Sequence, residues 1–435
     1  MTLFTKQQKL LMLCAAFALY NSYYYSNTVF SESRVGKLAS REFGFDISSL
    51  PESHDKRERK KKKILPGGHA HMPPPNASLG PNGEPGHVHD PTALRNNPLP
   101  FRIPDHDRGM VCLPPGQGSE SEKGAVLLGH MRKHLEADHA STSRTQPRIL
   151  CAIYTYSGGT NFTDAVRRTW GKRCDGLLFA SDVTNPKTGH THIASPSKRG
   201  YTYRSMYQRV RSILAYLYDN YLNKYDYFHV CGDDVYMLVE NLREFLASEK
   251  VRTFEDVPGQ YVFAGFWSHW KYNKFPDGKF YLGGGSGYTL SRRALEAYVE
   301  GPLQTCRVES EGATEDIFLS ECLFETNLTK AFVDTRDEHG AHRYHQLPLR
   351  NHANDKMVGQ HKLWGYSDTV RQSLRHMERA FGFPIVEREA YVSNSSITFH
   401  RHKPHELYRL ELLLYQDGGA ECGNSFSSAN ALAAA

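Results

Sequence analysis

Asp233 and Asp234 stand side by side in FHVCGDDVYML, residues 228–238, where an apolar, β-prone run ends in two carboxylates and resumes at Val235 and Tyr236. Neighbouring acids repel and resist burial, so an apolar frame around them calls for a bound positive charge, most simply a divalent cation. The alternative is a solvated turn with Gly232 supplying the bend. Three further stretches carry candidate chemistry. In KFYLGGGSGYTLSRRAL, Gly283, Gly284, Gly285 and Gly287 fall between an expected strand and a helix beginning near Ser291. Glycines there permit close backbone approach to a ligand, against the alternative of a flexible hairpin. No Gly-Lys-Ser/Thr ends the run, which excludes a Walker phosphate loop. In ATEDIFLSECLF, Glu315 and Asp316 open an amphipathic helix carrying Ile317, Leu319 and Leu323. Capping of the helix dipole accounts for acids in a first turn. Adjacent helical residues point about 100° apart, so one of the two is expected in a site. In DTRDEHGAHRYHQLP, His339, His342 and His345 could offer a neutral imidazole to a cation held by Asp234; taken alone, the stretch reads as a surface loop.

The elements that position these residues follow from local pattern. Ile149 to Thr155 reads as a buried strand ending in a glycine turn, a helix is expected over DAVRRTWGKR, and GLLFAS reads as a strand. Met206, Val210, Ile213, Leu214 and Leu217 recur at helical spacing as a core stripe, and YDYFHVC is a strand that delivers the two acids at its C-terminal end. Strands alternating with helices imply an α/β fold with a mostly parallel central sheet, in which ligands bind at the C-terminal strand ends. After Leu363 the pattern is mixed, with a helical stretch near DTVRQSLRHMERAF and an apolar one at LYRLELLLY.

Composition bounds the rest. Of 435 residues, 39% are hydrophobic, enough for one catalytic-sized domain with tails. The net charge of +6 is concentrated in KRERKKKK, Lys56 to Lys63, and the remainder is balanced, which gives no reason to expect a nucleic-acid-binding face. Lys6 and Lys9 precede LLMLCAAFAL and a tyrosine-rich segment; a membrane anchor over 10–30 competes with a cleaved signal peptide, and either implies entry to the secretory pathway. Residues 31–146, rich in Pro, Gly and His, read as a flexible stem whose His69, His71, His87 and His89 are solvated linker histidines. Eight cysteines and the acceptors Asn76, Asn161, Asn327 and Asn394 agree with that compartment.

Several of these stretches, in this order, resemble glycosyltransferase family 31, and most closely its core 1 β1,3-galactosyltransferase branch. The resemblance runs from about Arg148 to Leu349. It rests on Arg148-Ile-Leu-Cys151, Thr169-Trp170 with Cys174, Gly232-Asp233-Asp234-Val235-Tyr236, Gly284-Gly285-Ser286-Gly287-Tyr288-Thr289-Leu290-Ser291, Glu315 to Leu319, and Asp334-Thr-Arg-Asp337 leading to Tyr344-His345-Gln346. It departs where many relatives have a third Asp in place of Gly232, and a proline in place of Gln346.

The resemblance implies a GT-A-like nucleotide-sugar-binding domain over 147–363, between a cytosolic tail (1–9), the anchor and stem, and a C-terminal extension over 364–435. It makes Asp234 and His345 the Mn²⁺ ligands, Asp233 a supporting donor-site acid, and Asp316 the catalytic base with Glu315 serving the helix N-terminus. Arg209, aligned with a basic residue of relatives, is assigned to donor phosphate, against a solvated helix-face arginine; Gly284 and Gly285 line the donor site. Cys151–Cys174 and Cys306–Cys322 disulfides are implied as well. The expected activity is inverting transfer of galactose from UDP-galactose to the 3-hydroxyl of O-linked GalNAc on a glycoprotein or glycan, at a Golgi membrane with the catalytic domain luminal and a homodimer left open. Fringe-like β1,3-N-acetylglucosaminyl transfer, a catalytically silent carbohydrate-binding homologue and a metal-dependent phosphoesterase are the alternatives. Trp267 and Trp270 could stack on a sugar face.

Overall fold

A computed structural model describes residues 89–114, 117, 122–138, 146–269, 280–328, 332–352, 391–416 and 422, all within one compact unit, 71–435. The expected anchor, Asn76, Trp270, the stretch 368–381 and the C-terminal tail lie outside the described residues. Among the described residues, no helix is long and apolar enough to cross a membrane.

Three short or amphipathic helices come first: α1 (Pro91–Asn96), α2 (Asp105–Val111) and α3 (Glu122–Asp138). They fall inside the stretch read above as a flexible stem, and that reading is corrected for them: Ile103, Val111, Leu128, Met131 and Leu135 are buried in the core. On α3, Leu128, Met131 and Leu135 stand at helical spacing within a stretch whose composition is otherwise polar and rich in Pro, Gly and His, which hides the helix.

The sheet begins with β1 (Ile149–Tyr154), followed by α4 (Thr160–Arg168), β2 (Gly176–Ser181), β3 (His190–His192), α5 (Met206–Tyr221) and β4 (Tyr227–Gly232). These strands are parallel, and later β6 (Phe263–His269) and β7 (Phe280–Ser291) join antiparallel, giving the order β3-β2-β1-β4-β7-β6. β1, β2 and β4 are apolar because helices cover both faces; the α5 stripe expected at Met206, Val210, Ile213, Leu214 and Leu217 is buried on one of them. β1 pairs with β4 from Ile149 opposite Tyr227 to Tyr154 opposite Gly232. Thr155 and Asp233 therefore leave the sheet side by side at its C-terminal edge.

A second sheet of three strands, ordered β5-β9-β8, stands next to that edge. It joins β5 (Tyr236–Met237), β8 (Tyr344–His345) and β9 (Thr398–Phe399). Between β5 and β8 run α6 (Val239–Ala247), α7 (Glu249–Glu255), α8 (Arg292–Glu300), α9 (Pro302–Thr305) and α10 (Glu315–Glu325); α11 (Leu349–His352) and α12 (Pro404–Tyr415) follow β8 and β9. The expected C-terminal extension is thus part of the domain. On α12, Leu407, Tyr408, Leu412 and Leu414 are core residues, and buried Glu411 takes Arg173 at 2.7 and 2.9 Å, Lys172 at 2.9 Å and the Tyr236 hydroxyl at 3.0 Å. Burial pushes the Glu411 carboxyl up, but Arg173 and Lys172 outweigh it and hold it below its ordinary value.

Disulfides link Cys151–Cys174 and Cys306–Cys322, as the resemblance implied, and also Cys112–Cys422. The third closes a span of 310 residues and ties the residue after α2 to Cys422, beyond α12, while Arg409 of α12 donates to the carbonyls of Val111, Leu113 and Pro114. Cys231 is buried and free.

Two predictions arise here. Cys112→Ser is expected to lower unfolding stability by about 2–4 kcal/mol, the usual worth of a disulfide closing a long loop. Denaturant titration measures it, and non-reducing peptide mapping should recover Cys112 joined to Cys422. The second concerns pH. Burial lowers His342 to about 3 and His352 to about 4, so both fold neutral. A depressed folded value favours the neutral form, hence their stabilisation is whole above about pH 6.5, where the unfolded imidazoles also lose their protons. It should be lost as pH falls towards about 4, at up to about 1.4 kcal/mol per unit for each histidine. Equilibrium unfolding between pH 7.5 and 4.5 checks this, and replacing His352 by Phe should flatten the slope.

Candidate active site

A cleft of about 720 Å³ opens at the C-terminal edge of the parallel strands. Its wall includes Thr155, Arg209, Asp233, Asp234, Gly284, Gly285, Glu315, Asp316, His400 and Arg401. Of the residues singled out in the sequence, Asp233, Asp234, Arg209, Gly284, Gly285 and Asp316 meet there. His345 does not.

Asp233 accepts a 2.6 Å hydrogen bond from the Thr155 hydroxyl, as the β1–β4 register dictates. Burial pushes its carboxyl up to about 7, with the Thr155 bond opposing and the Asp234 charge adding to the rise. Arg209 is buried and stacks over the Tyr201 ring at 3.6 Å, while its Nη2 donates to the Thr155 carbonyl at 2.7 Å. It lines the cleft, and its bond to Thr155 braces the residue whose hydroxyl reaches Asp233. The solvated helix-face alternative for Arg209 is excluded by this burial.

The pairing of β5 with β9 brings the last part of the chain to Asp234. Tyr236 lies opposite Phe399, and beyond the ladder the His402 N–H donates to the Asp234 carbonyl at 2.9 Å. His400, between them, places Nε2 3.3 Å from Asp234 Oδ2. Its Nδ1 lies 3.2 Å from the Gln346 carbonyl, an acceptor only, so Nδ1 carries the proton in that bond. Nε2 then either carries a second proton or turns a lone pair to the carboxylate, and a shared cation satisfies the second arrangement. From the other side, the Trp170 indole donates to the Val235 carbonyl at 2.9 Å and fixes the turn after the acids.

The expectation that His345 partners Asp234 is therefore corrected. His345 is fully buried, its ring stacked on Phe399 at 4.5 Å and its Nε2 3.1 Å from the Ser396 hydroxyl. It belongs to a packed group with His352 and Tyr391 on the far side of β9. His342 stacks on Tyr391 in the same group, and His339 is exposed. His400 was missed, although its context carries the same signal as the acid pair: a β-prone run, Ile397-Thr398-Phe399, ending abruptly in a metal-competent side chain. Arg401, also missed, lines the cleft with φ of +65° in the left-handed region.

The glycine run is not a loop between strand and helix. It is a bulge inside β7: Phe266 pairs with Gly283 and Gly265 with Tyr288, leaving residues 284–287 unpaired. A Cβ on Gly284 would overlap the Glu315 carboxyl, and one on Gly285 would collide with His400 Nδ1 and the Gln346 amide. These glycines make room for the chain's own side chains. Gln346 pins the bulge through bonds to the Gly283 carbonyl at 2.7 Å and the Ser286 hydroxyl at 2.9 Å.

Helix α10 presents two acids to the cleft, not one. Asp316 Oδ2 accepts from the Gly284 N–H at 3.0 Å and Oδ1 from the Ile317 N–H at 2.8 Å. Burial raises its carboxyl and these two bonds moderate the rise. Glu315 is 4% exposed and its Oε2 has no hydrogen-bond partner. Burial and then the neighbouring Asp316 push it well above the usual carboxylate range. Burial raises both carboxyls, and only Asp316 has backbone N–H donors to oppose the rise. Glu315 thus does not act as a solvated cap of the helix.

Among the described residues no group of three or more His, Cys, Asp or Glu forms a closed metal cage. Asp234 and His400 offer one oxygen and one nitrogen beside an open cleft, a donor set that fits a divalent ion sharing its shell with water and phosphate oxygens. Trp267 does not reach the cleft: it is 2% exposed, stacked on Phe332 at 3.5 Å, and its Nε1 donates to the Val333 carbonyl.

The chain is similar to the glycoprotein-N-acetylgalactosamine 3-beta-galactosyltransferase 1 of Xenopus laevis, with 26% identity over 291 residues, 66% of this chain and 72% of that protein. No family model matches the chain.

His400→Ala is expected to lower the affinity for Mn²⁺ added alone by about 10-fold or more, as loss of a ligand does. His345→Ala should leave that affinity unchanged and lower Tm, since it removes a buried stacked ring. Calorimetric titration with Mn²⁺ and thermal melts of both variants separate the two roles; weakened Mn²⁺ binding in His345→Ala alone would reverse the assignment.

Proposed function

We propose that the protein is an inverting, metal-dependent glycosyltransferase that moves galactose from UDP-galactose to the 3-hydroxyl of O-linked GalNAc on a glycoprotein or glycan. The observation that carries this reading is one cleft at the C-terminal strand edge with Asp234 and His400 on one wall and Asp316, backed by two N–H groups, on another. The Xenopus laevis relative supports the sugar and the acceptor through its own named activity. Alternating helices and strands with three disulfides accord with a luminal Golgi domain tethered by the segment 10–30.

In this reading, Asp316 takes the proton of the acceptor hydroxyl as that oxygen attacks the anomeric carbon of an α-linked donor, giving a β linkage in one displacement. Its two N–H bonds aim the carboxylate and favour its charged form. Asp234 and His400 would hold the divalent ion, which when bound supplies Lewis-acid stabilisation of the departing diphosphate. Thr155 and Arg209 keep Asp233 oriented next to Asp234, and the Gly284 N–H of the bulge holds Asp316.

Asp316→Asn preserves side-chain size but removes the base, and its single amide oxygen can keep only one of the two backbone N–H contacts. Transfer from UDP-galactose to a GalNAc-peptide should fall by about 10²–10⁴-fold, while Mn²⁺-dependent UDP binding persists. Undiminished turnover in this variant, or full transfer by the parent protein in excess EDTA, would contradict the mechanism.

A further inference from the structure

Glu315 is the buried group that the mechanism leaves idle. A carboxyl with 4% exposure and an Oε2 without a partner is costly, since desolvation is not repaid by any bond within the fold. The surrounding structure nevertheless makes room for it. Residue 284 is glycine, and any side chain there would occupy the space of the Glu315 carboxyl. Glu315 also lines the cleft, with Oε2 itself screened from solvent beneath that wall. An unpaired polar group preserved in this way at a cleft floor is explained by a hydrogen bond that forms only when the cleft is filled.

Its position selects the ligand. Glu315 and Asp316 flank one peptide: Asp316 receives the Gly284 N–H, and Glu315 lies over the Gly284 Cα. Asp316 is partly exposed, whereas Glu315 lies deeper. Tyr154 lines the same floor. A donor sugar must span from the diphosphate side, at Asp234, to the base, at Asp316, and so must rest on this floor, while an acceptor enters from the mouth.

We propose that Glu315 is a donor-specificity residue, whose free Oε2 exchanges a hydrogen bond with one ring hydroxyl of the transferred hexose. This rests on the nucleotide-sugar reading given above. A sugar epimeric at that hydroxyl leaves the carboxyl buried and unpaired, and so is rejected; a site built to bond a hydroxyl discriminates far more strongly than an apolar one.

The test compares the full chain with Glu315→Leu and Glu315→Gln, measuring Mn²⁺-dependent binding of UDP, UDP-galactose and UDP-glucose, transfer to a GalNAc-peptide, and Tm. For Glu315→Leu we expect unchanged UDP affinity, a fall of about 10²-fold in kcat/KM for the preferred hexose, and discrimination between the two epimers reduced to within about 3-fold. Tm should rise by ~2 °C or more, because an unpaired buried carboxyl is replaced by an apolar group. A purely structural Glu315 would instead lower Tm. Glu315→Gln, which keeps a donor and an acceptor, should retain most of the discrimination. The proposal is overturned if Glu315→Leu keeps parental discrimination, if its Tm falls, or if only the KM for the acceptor rises. Failure of the parent protein to bind either UDP-hexose would instead overturn the nucleotide-sugar reading itself, and that outcome is visible before any variant is made.

Discussion

The antiparallel pairing of β5 with β9 is the constraint on which the site depends. Two residues of each strand suffice, because the pairing starts two residues after Asp234 and ends immediately before His400. The His402 N–H to Asp234 carbonyl bond holds the two chains together beyond the ladder, and the Asp234 and His400 side chains face each other. A slip of one residue would turn His400 to the opposite face. The parallel contact of β8 with β9 acts from the other side, stacking His345 on Phe399 and so committing that ring to the core.

Such a short ladder cannot hold itself, and the flanking packing supplies what it lacks. Tyr236 of β5 is fully buried and its hydroxyl reaches Glu411 on α12, which Arg173 and Lys172 also engage. The segment before β2 and the C-terminal helix are thereby fastened to the strand that follows Asp234. Buried Arg409 binds the end of α2 to the same helix, and the Cys112–Cys422 disulfide ties it to the chain beyond that helix. Removing one partner of a buried ionic cluster leaves an uncompensated charge, so the network acts as a unit.

The cleft gathers four carboxylates, and the fold distinguishes among them by what each is allowed to bond. Asp233 receives a hydroxyl, Asp316 receives two backbone N–H groups, Asp234 faces an imidazole, and Glu315 receives nothing at Oε2. Equal residue types thus acquire unequal proton affinities and different tasks. Gly232 fits this economy of space: a Cβ there would stand 2.9 Å from Asp234 Oδ1 and 3.2 Å from the Tyr154 ring, so a third acid would crowd the one that faces His400.

Local pattern was enough to determine the parallel strands, the α5 stripe and the emergence of Asp233 and Asp234 at a strand's C-terminal end, because apolar runs of strand length and helical periodicity are properties of neighbours in the chain. The same is true of Asp316 at the start of α10. Which histidine meets Asp234 was decided only by the tertiary structure, since His345 and His400 are both plausible donors by type, and strand register alone sends one into the core and the other into the cleft. The depth of Glu315, the bracing role of Arg209 and the docking of α1 to α3 also depend on contacts between residues far apart in sequence. No local period records such contacts; they arise when distant segments compete for the same buried space.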